Sequence, residues 1–218
     1  MRNPNFQEEK KLRRKGFKRV AGSDEAGRGP LAGPVVAAAV IIQNTKYKIL
    51  NTKIRDSKQL SAKQRDKFYD LITKNKNIKW GIGVVSERII DRINILEATK
   101  LAMAKAVKKL KVDFLLLDGN FKINSKILQK SIIKGDERVF SIAAASILAK
   151  VARDRIMVRY HKKYPRYRFD MHKGYPTKYH CKMIRKYGPC KIHRRSFAPI
   201  KFEIRISKSE TNTNVKMT

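Results

Sequence analysis

Residues 23–42 read Ser23-Asp24-Glu25-Ala26-Gly27-Arg28-Gly29-Pro30-Leu31-Ala32-Gly33-Pro34-Val35-Val36-Ala37-Ala38-Ala39-Val40-Ile41-Ile42. From Pro34 to Ile42 the run is unbroken in its apolar character. A strand with one wet face alternates apolar and polar residues, so this run predicts a strand covered on both faces. The first half places two carboxylates after Val20-Ala21-Gly22-Ser23 and before a glycine-rich turn. Glycines on either side of Arg28 allow backbone N–H groups to come close to a ligand while the guanidinium meets a phosphate; the plain alternative is a tight turn with an exposed arginine.

Outward from this stretch the chain alternates strands and helices. Residues 1–19 form a basic lead-in (Lys10, Lys11, Arg13, Arg14, Lys15, Lys18, Arg19), a composition typical of a solvated arm or helix face. Residues 43–60 are polar and end in Asp56-Ser57-Lys58-Gln59-Leu60. Ser61 is suited to cap a helix running to about Thr73, and Ile78 to Val85 reads as a strand. Ile89, Ile93, Leu96, Met103, Val107 and Leu110 recur at helical steps and predict one amphipathic helix from Arg88 to Leu110. Phe114 to Leu117 is a short buried strand that ends in the turn signal Asp118-Gly119-Asn120. Ser131 to Ile133 predicts a last strand. From Val139 to Tyr160 a helix is apolar on nearly every side, which makes it central to the core. A further helix is expected from Lys178 to Lys186, and a fraying polar tail from about Ser207. The whole is an α/β domain with a mixed sheet: a basic extension over 1–19, a catalytic-domain candidate over 20–200 with a helical segment from about 161, and a tail over 201–218.

The chain has 218 residues, enough for one substantial core. Its formal net charge of +34 points to a polyanionic partner, nucleic acid first. No apolar run approaches the ~20 residues of a membrane span, and the N-terminus has no apolar core of a secretory signal. The two cysteines, Cys181 and Cys190, exclude a disulfide framework and fit a cytoplasmic setting. Their spacing, even with His180 and His193 nearby, is not that of a zinc site.

Against so basic a background the placement of acidic residues is informative. Asp24, Glu25, Asp118 and Asp136 each border a hydrophobic element. Were they to converge, each pair would repel by about 4 kcal/mol near 4 Å at an effective dielectric of 20. Such a cluster requires protonation or bound cations, and hard divalent ions with oxygen ligands suit it. Two ions roughly 4 Å apart are an established device for phosphodiester displacement. Taken singly, each is more commonly a turn or cap residue, and periodicity does not show that they meet. Tyr175, in His172-Lys173-Gly174-Tyr175, offers a ring for stacking on a nucleotide, or is a partly buried core tyrosine.

The stretch Asp24 to Val36 closely resembles the signature of the ribonuclease HII family. Asp56-Ser57-Lys58-Gln59-Leu60, Leu117-Asp118-Gly119-Asn120, Lys134-Gly135-Asp136 with Ala143 to Asp154, His172-Lys173-Gly174-Tyr175 and His193-Arg194-Arg195-Ser196-Phe197 resemble its further blocks, in family order across about residues 20–200. The resemblance implies an RNase H-like mixed sheet flanked by helices, with a small C-terminal helical portion. It implies cleavage of the RNA strand of RNA–DNA hybrids, and cutting at ribonucleotides embedded in duplex DNA, with Mg²⁺ or Mn²⁺ as cofactor. By motif, Asp24, Glu25, Asp118 and Asp136 become catalytic metal-site carboxylates; Gly27, Arg28 and Gly29 the loop that contacts the 2′-OH and adjacent phosphates; Tyr175 the ring at the RNA–DNA junction; Lys58 a phosphate contact. Ser23 departs from the family pattern where only the strand end is affected, Phe140-Ser141 departs at a packing position, and Glu137 adds a carboxylate beside Asp136 that bears on the choice of fourth ligand. The short lead-in resembles type HII rather than the related HIII, which carries a large N-terminal domain. A monomer is expected. The rivals are a non-catalytic basic binder, which explains the charge and not the placement of the carboxylates, and a same-fold nuclease indifferent to the 2′-OH.

Overall fold

The computed structural model describes residues 4–43, 60–198 and 200–201; Asp56, Ser57, Lys58 and Gln59 lie outside the described residues, as does most of the expected tail. Among the described residues five strands form one mixed sheet: β1 (Val20–Ala26), β2 (Val35–Ile42), β3 (Ile78–Val85), β4 (Phe114–Asp118) and β5 (Leu128–Ile132), in the order β3-β2-β1-β4-β5. The β3-β2-β1 half is antiparallel; β4 and β5 run parallel to β1.

All eight residues of β2 are buried, as its unbroken apolar run requires. Its odd residues, Val35, Ala37, Ala39 and Ile41, pack with α3 (Glu87–Lys108). Its even residues, Ala38, Val40 and Ile42, pack with α4 (Phe140–Lys163). A period-2 strand between two helices has no solvent face on which to place a polar residue. On β1 the backbone itself meets α4: a Cβ built on Gly22 would lie 2.4 Å from Ile142 N and from Ser141 C. Only glycine permits that approach, and it sets how deeply α4 sits against the strand carrying Asp24 and Glu25.

α3 differs from the single helix its apolar spacing predicts. Asn94 has φ 65° and ψ 168°, which breaks the helical path inside the span. Its Oδ1 accepts from the N–H groups of Leu96 at 2.9 Å and Glu97 at 3.1 Å. Asn94 thus caps the second half-helix, a role for which asparagine competes well against the helical backbone. α2 (Ala62–Lys74) starts at Ser61 with a full capping box to Gln64, as expected.

The basic lead-in is a docked helix face. α1 (Gln7–Arg14) buries Leu12 and Glu9 while Lys10, Lys11 and Arg14 stay exposed. Phe6 stacks on Phe140 at 4.4 Å, and Glu9 Oε1 accepts from Ser141 N at 2.9 Å in the first turn of α4. A carboxylate there meets the positive end of the helix.

Residues 164–201 hold α5 (Phe169–His172) and α6 (Lys178–Tyr187) around a separate apolar cluster that includes Leu31, Ala32, Met157, Tyr167, Phe169 and Ile184. Residues 192–194 run antiparallel beside 31–33: Gly33 N donates to Ile192 O and Arg194 N to Leu31 O, both at 2.8 Å. The C-terminal portion is thereby stitched to the loop that follows β1. Both cysteines are free and partly buried. Among the described residues no helix is long and apolar enough to cross a membrane.

Candidate active site

The parallel register of β1 and β4 pairs Val20 with Phe114 and Ser23 with Leu117. One step further brings Asp24 level with Asp118 on adjacent strands, whose axes lie about 4.8 Å apart. Asp24 sits inside β1 rather than after it, on the face toward α4, where Ser146 bonds its carboxylate. Asp136 lies in a 3₁₀ turn, Gly135–Glu137, between β5 and α4. That turn is tied to β4, since Gly135 N donates to Asp118 Oδ1 at 2.6 Å.

These elements enclose a cavity of about 250 Å³ lined by Asp24, Glu25, Gly27, Arg28, Gly29, Asp118, Asp136 and Tyr175. Every candidate site residue among the described residues is therefore in one place; Lys58 lies outside them. The same wall carries Ser146, Lys150 and Arg65, none of which the residue-level reading singled out. Ser146 and Lys150 sit one helical turn apart on α4, so they share a face, but nothing in the sequence shows that this face meets β1. Tyr175 is 42% exposed, with Lys150 Nζ 6.0 Å from its ring centre, so it is not a core tyrosine. Glu137 does not line the cavity; it pairs with Lys134 at 3.9 Å. A larger hollow beside α2, about 730 Å³, is lined by Lys67, Asp70, Leu71 and Lys74 and gathers no comparable set of groups.

Electrostatics at the cavity are those of crowded carboxylates. Burial, then the charges of Glu25 and Asp118, push the Asp24 carboxyl well above its ordinary range; the Ser146 hydroxyl and the Glu25 N–H, donated at 2.7 Å, oppose this. Burial also raises Glu25, against the pull of Arg28, whose Nη1 is 3.6 Å from Glu25 Oε1. Among the described residues, Glu25 Oε2 is buried with no hydrogen-bond partner. An all-oxygen donor set, a carboxyl unfavourably charged by its neighbours and an orphaned carboxylate oxygen together suit a hard divalent cation. Among the described residues no three acidic, histidine or cysteine side chains form a ready-made cage. Mg²⁺-type sites need none, because the ion keeps several waters and borrows substrate oxygens.

Behind the cavity three histidines form an ordered chain. His180 Nδ1 donates to Tyr175 O at 2.9 Å, so its Nε2 accepts, and His193 Nε2 donates to it at 3.0 Å. His193 Nδ1 in turn accepts from Cys190 N at 2.9 Å. His172 stacks on His180 at 4.4 Å. Only neutral imidazoles satisfy this pattern. Burial lowers His180 to about 4, and burial with His180 beside it lowers His193 to about 3. The main chain at Tyr175 is held through this chain.

An acidic pocket at the ends of β1 and β4, within a strongly basic chain of mixed α/β topology, defines a nuclease of RNase H-like fold. The chain belongs to the ribonuclease HII family, whose model matches residues 21–200, and it is a ribonuclease H. It is 52% identical to a ribonuclease HII of Chlamydia muridarum over 194 residues, 88% of either chain. It is 53% identical to one of Syntrophus aciditrophicus over 184 residues, covering 84% of this chain and 85% of that one. Among solved structures, the ribonuclease H2 of Pyrococcus horikoshii matches with a TM-score of 0.69 at 28% identity, over 87% of this chain and 99% of its own. The RNase HII of an Archaeoglobus fulgidus PCNA:RNase HII complex matches with a TM-score of 0.71 at 25% identity, over 83% and 95%. A Bst-RNase HIII crystallised with Mn²⁺ shares the fold, with a TM-score of 0.69 at 20% identity, over 88% and 70%.

Proposed function

We propose that this ribonuclease H cuts the RNA strand of RNA–DNA hybrids and cleaves 5′ of ribonucleotides embedded in duplex DNA, leaving 3′-hydroxyl and 5′-phosphate ends. The observation that supports this best is the single cavity in which the carboxylates of three separate segments face the Gly-Arg-Gly loop and Tyr175. Asp24, Glu25, Asp118 and Asp136 are the catalytic groups and would hold two divalent ions, Mg²⁺ or Mn²⁺. When bound, these would supply a readily deprotonated water as the nucleophile and positive charge to offset the negative charge developing on the leaving 3′-oxygen. The structural relative with Mn²⁺ supports the choice of metal class.

The remaining groups select and orient. Backbone groups of Gly27, Arg28 and Gly29 contact the ribonucleotide, whose 2′-OH is the local mark of RNA. Arg28 neutralises the adjacent phosphate. Tyr175 stacks at the junction between ribo- and deoxyribonucleotide, and Lys58 contacts a further phosphate. The charge of +34 grips the duplex non-specifically, so binding weakens with salt at a slope of about −0.9 per phosphate contact. The enzyme acts as a monomer in the cytoplasm, a setting supported by its two free cysteines.

Cleavage of an end-labelled DNA duplex holding one ribonucleotide tests this reading, run with Mg²⁺, Mn²⁺ or EDTA beside an all-DNA duplex and an Asp24→Asn protein. The expected result is a metal-dependent cut 5′ of the ribonucleotide, absent from both controls. Salt-sensitive binding without cleavage under either metal would leave only a basic nucleic-acid binder. Equal cutting of the all-DNA duplex would show a nuclease indifferent to the 2′-OH.

A further inference from the structure

Arg194 is fully buried, and the four hydrogen bonds its guanidinium makes among the described residues all go to main-chain carbonyls. Nε donates to Gly33 O at 2.9 Å and Nη1 to Arg28 O at 3.0 Å. Nη2 donates to Gly27 O at 2.6 Å and to Pro34 O at 3.2 Å. Two of the four acceptors are thus consecutive peptide units of the loop that lines the cavity. A buried guanidinium is costly, and apolar packing would serve stability alone at least as well. Its contacts with the loop give it a reason beyond holding the fold.

Peptide geometry supplies that reason. The described chain contains no cis peptide bond. In a trans unit the C=O and the following N–H point in opposite directions. Drawing Gly27 O and Arg28 O onto Arg194 therefore turns Arg28 N–H and Gly29 N–H away from it, on a loop whose residues line the cavity. Two successive N–H groups facing one way form a concave site for an oxygen ligand. Gly27 takes φ 101°, which glycine adopts without strain, and a Cβ there would lie 2.1 Å from Arg153 Nε, so the loop admits no larger residue at this point.

We infer that Arg194 is a positioning residue for ribonucleotide recognition, fixing the orientation of the Arg28 and Gly29 N–H groups from behind without touching substrate. This rests on the proposed function and deepens it. The planar fork of arginine reaches acceptors in several directions at once. Lysine gathers its three protons at one point and does not reproduce that reach.

The test uses the full chain as wild type, Arg194→Lys and Ile184→Val, the last a buried residue of the C-terminal cluster that does not line the cavity. Steady-state cleavage is measured on the one-ribonucleotide duplex, and binding by anisotropy on that duplex and on its all-DNA counterpart. Melting temperature is recorded for each protein. The expected result for Arg194→Lys is a loss of ~10–100-fold in kcat and of most of the binding preference for the ribonucleotide, with all-DNA affinity unchanged. Ile184→Val, though less stable than wild type, should keep both kcat and preference. Arg194→Lys retaining wild-type kcat and preference overturns the proposal. So does a loss no greater than its folded fraction predicts. If Arg194→Lys does not fold, Phe197→Leu removes the ring 5.0 Å from the guanidinium; it should weaken the preference, and an unchanged preference counts against the proposal. A wild type that leaves the ribonucleotide duplex uncut overturns the functional reading itself, which separates the two failures.

Discussion

Asp24 occupies a position that suits a carboxylate poorly in the absence of a cation. It is buried, and its charge is opposed by Glu25 and Asp118. An uncharged amide of the same shape relieves that repulsion. Asp24→Asn should therefore reduce cleavage to background while raising stability by about 1 kcal/mol, or ~2–4 °C in melting temperature. Calorimetry beside an activity assay checks both halves; a variant that is inactive and less stable would show that Asp24 supports the fold. At this scale the sequence was informative where chemistry is rare. Eighteen acidic residues against fifty-two basic ones make each carboxylate conspicuous. Buried arginines were not legible, because Arg153 and Arg194 look like any others in a basic chain. Only their carbonyl partners distinguish them, and Arg153 bonds Ala32, Pro34 and Lys173.

Among the elements, the contact between β1 and α4 sets the site. Gly22 permits it, since any Cβ there would overlap the backbone of Ser141 and Ile142. Gly22→Ala should cost about 2–3 kcal/mol in urea denaturation and reduce kcat as well, because the displaced strand carries Asp24 and Glu25. An alanine variant with unchanged stability would mean that α4 yields easily. The doubly buried β2 was readable from its apolar run, and the start of α2 from Ser61 and Gln64. The break in α3 was not: the apolar positions on either side keep helical spacing, and only the backbone shows that Asn94 caps a second helix. The charge of the lead-in likewise concealed Phe6, Glu9 and Leu12, which dock α1 onto the core.

For the molecule as a whole, the C-terminal portion and the sheet domain are joined beside a chain of neutral histidines. In the unfolded chain these titrate near 6.5, whereas folded His180 and His193 stay neutral down to about 4 and about 3. As pH falls below 6.5 the unfolded state takes up protons that the folded state refuses. Their contribution, complete above that pH, is lost by about 1.4 kcal/mol per pH unit for each histidine. The raised carboxyls of Glu9, Asp24 and Glu25 act in the opposite direction, since the folded state protonates them first. The histidine effect is therefore the difference in slope of unfolding free energy against pH between wild type and His193→Gln. The wild type should lose stability faster between pH 6.5 and 4.5; parallel slopes would mean that His193 is charged in the fold.

By itself the sequence determined the chemistry on offer: a basic chain with scarce carboxylates at the borders of apolar elements, a glycine-flanked arginine, and two strands and a helix apolar enough to be buried on all sides. Those properties follow from composition and short-range periodicity, which any local stretch carries. Tertiary structure alone decided that Asp24 and Asp118 stand level on neighbouring strands, that Asp136 reaches them through a turn tied to β4, and that Arg194, some 170 residues along the chain from Asp24, fixes the loop beside them. Convergence depends on strand register and helix docking. These are properties of pairs of distant segments, which no local pattern records.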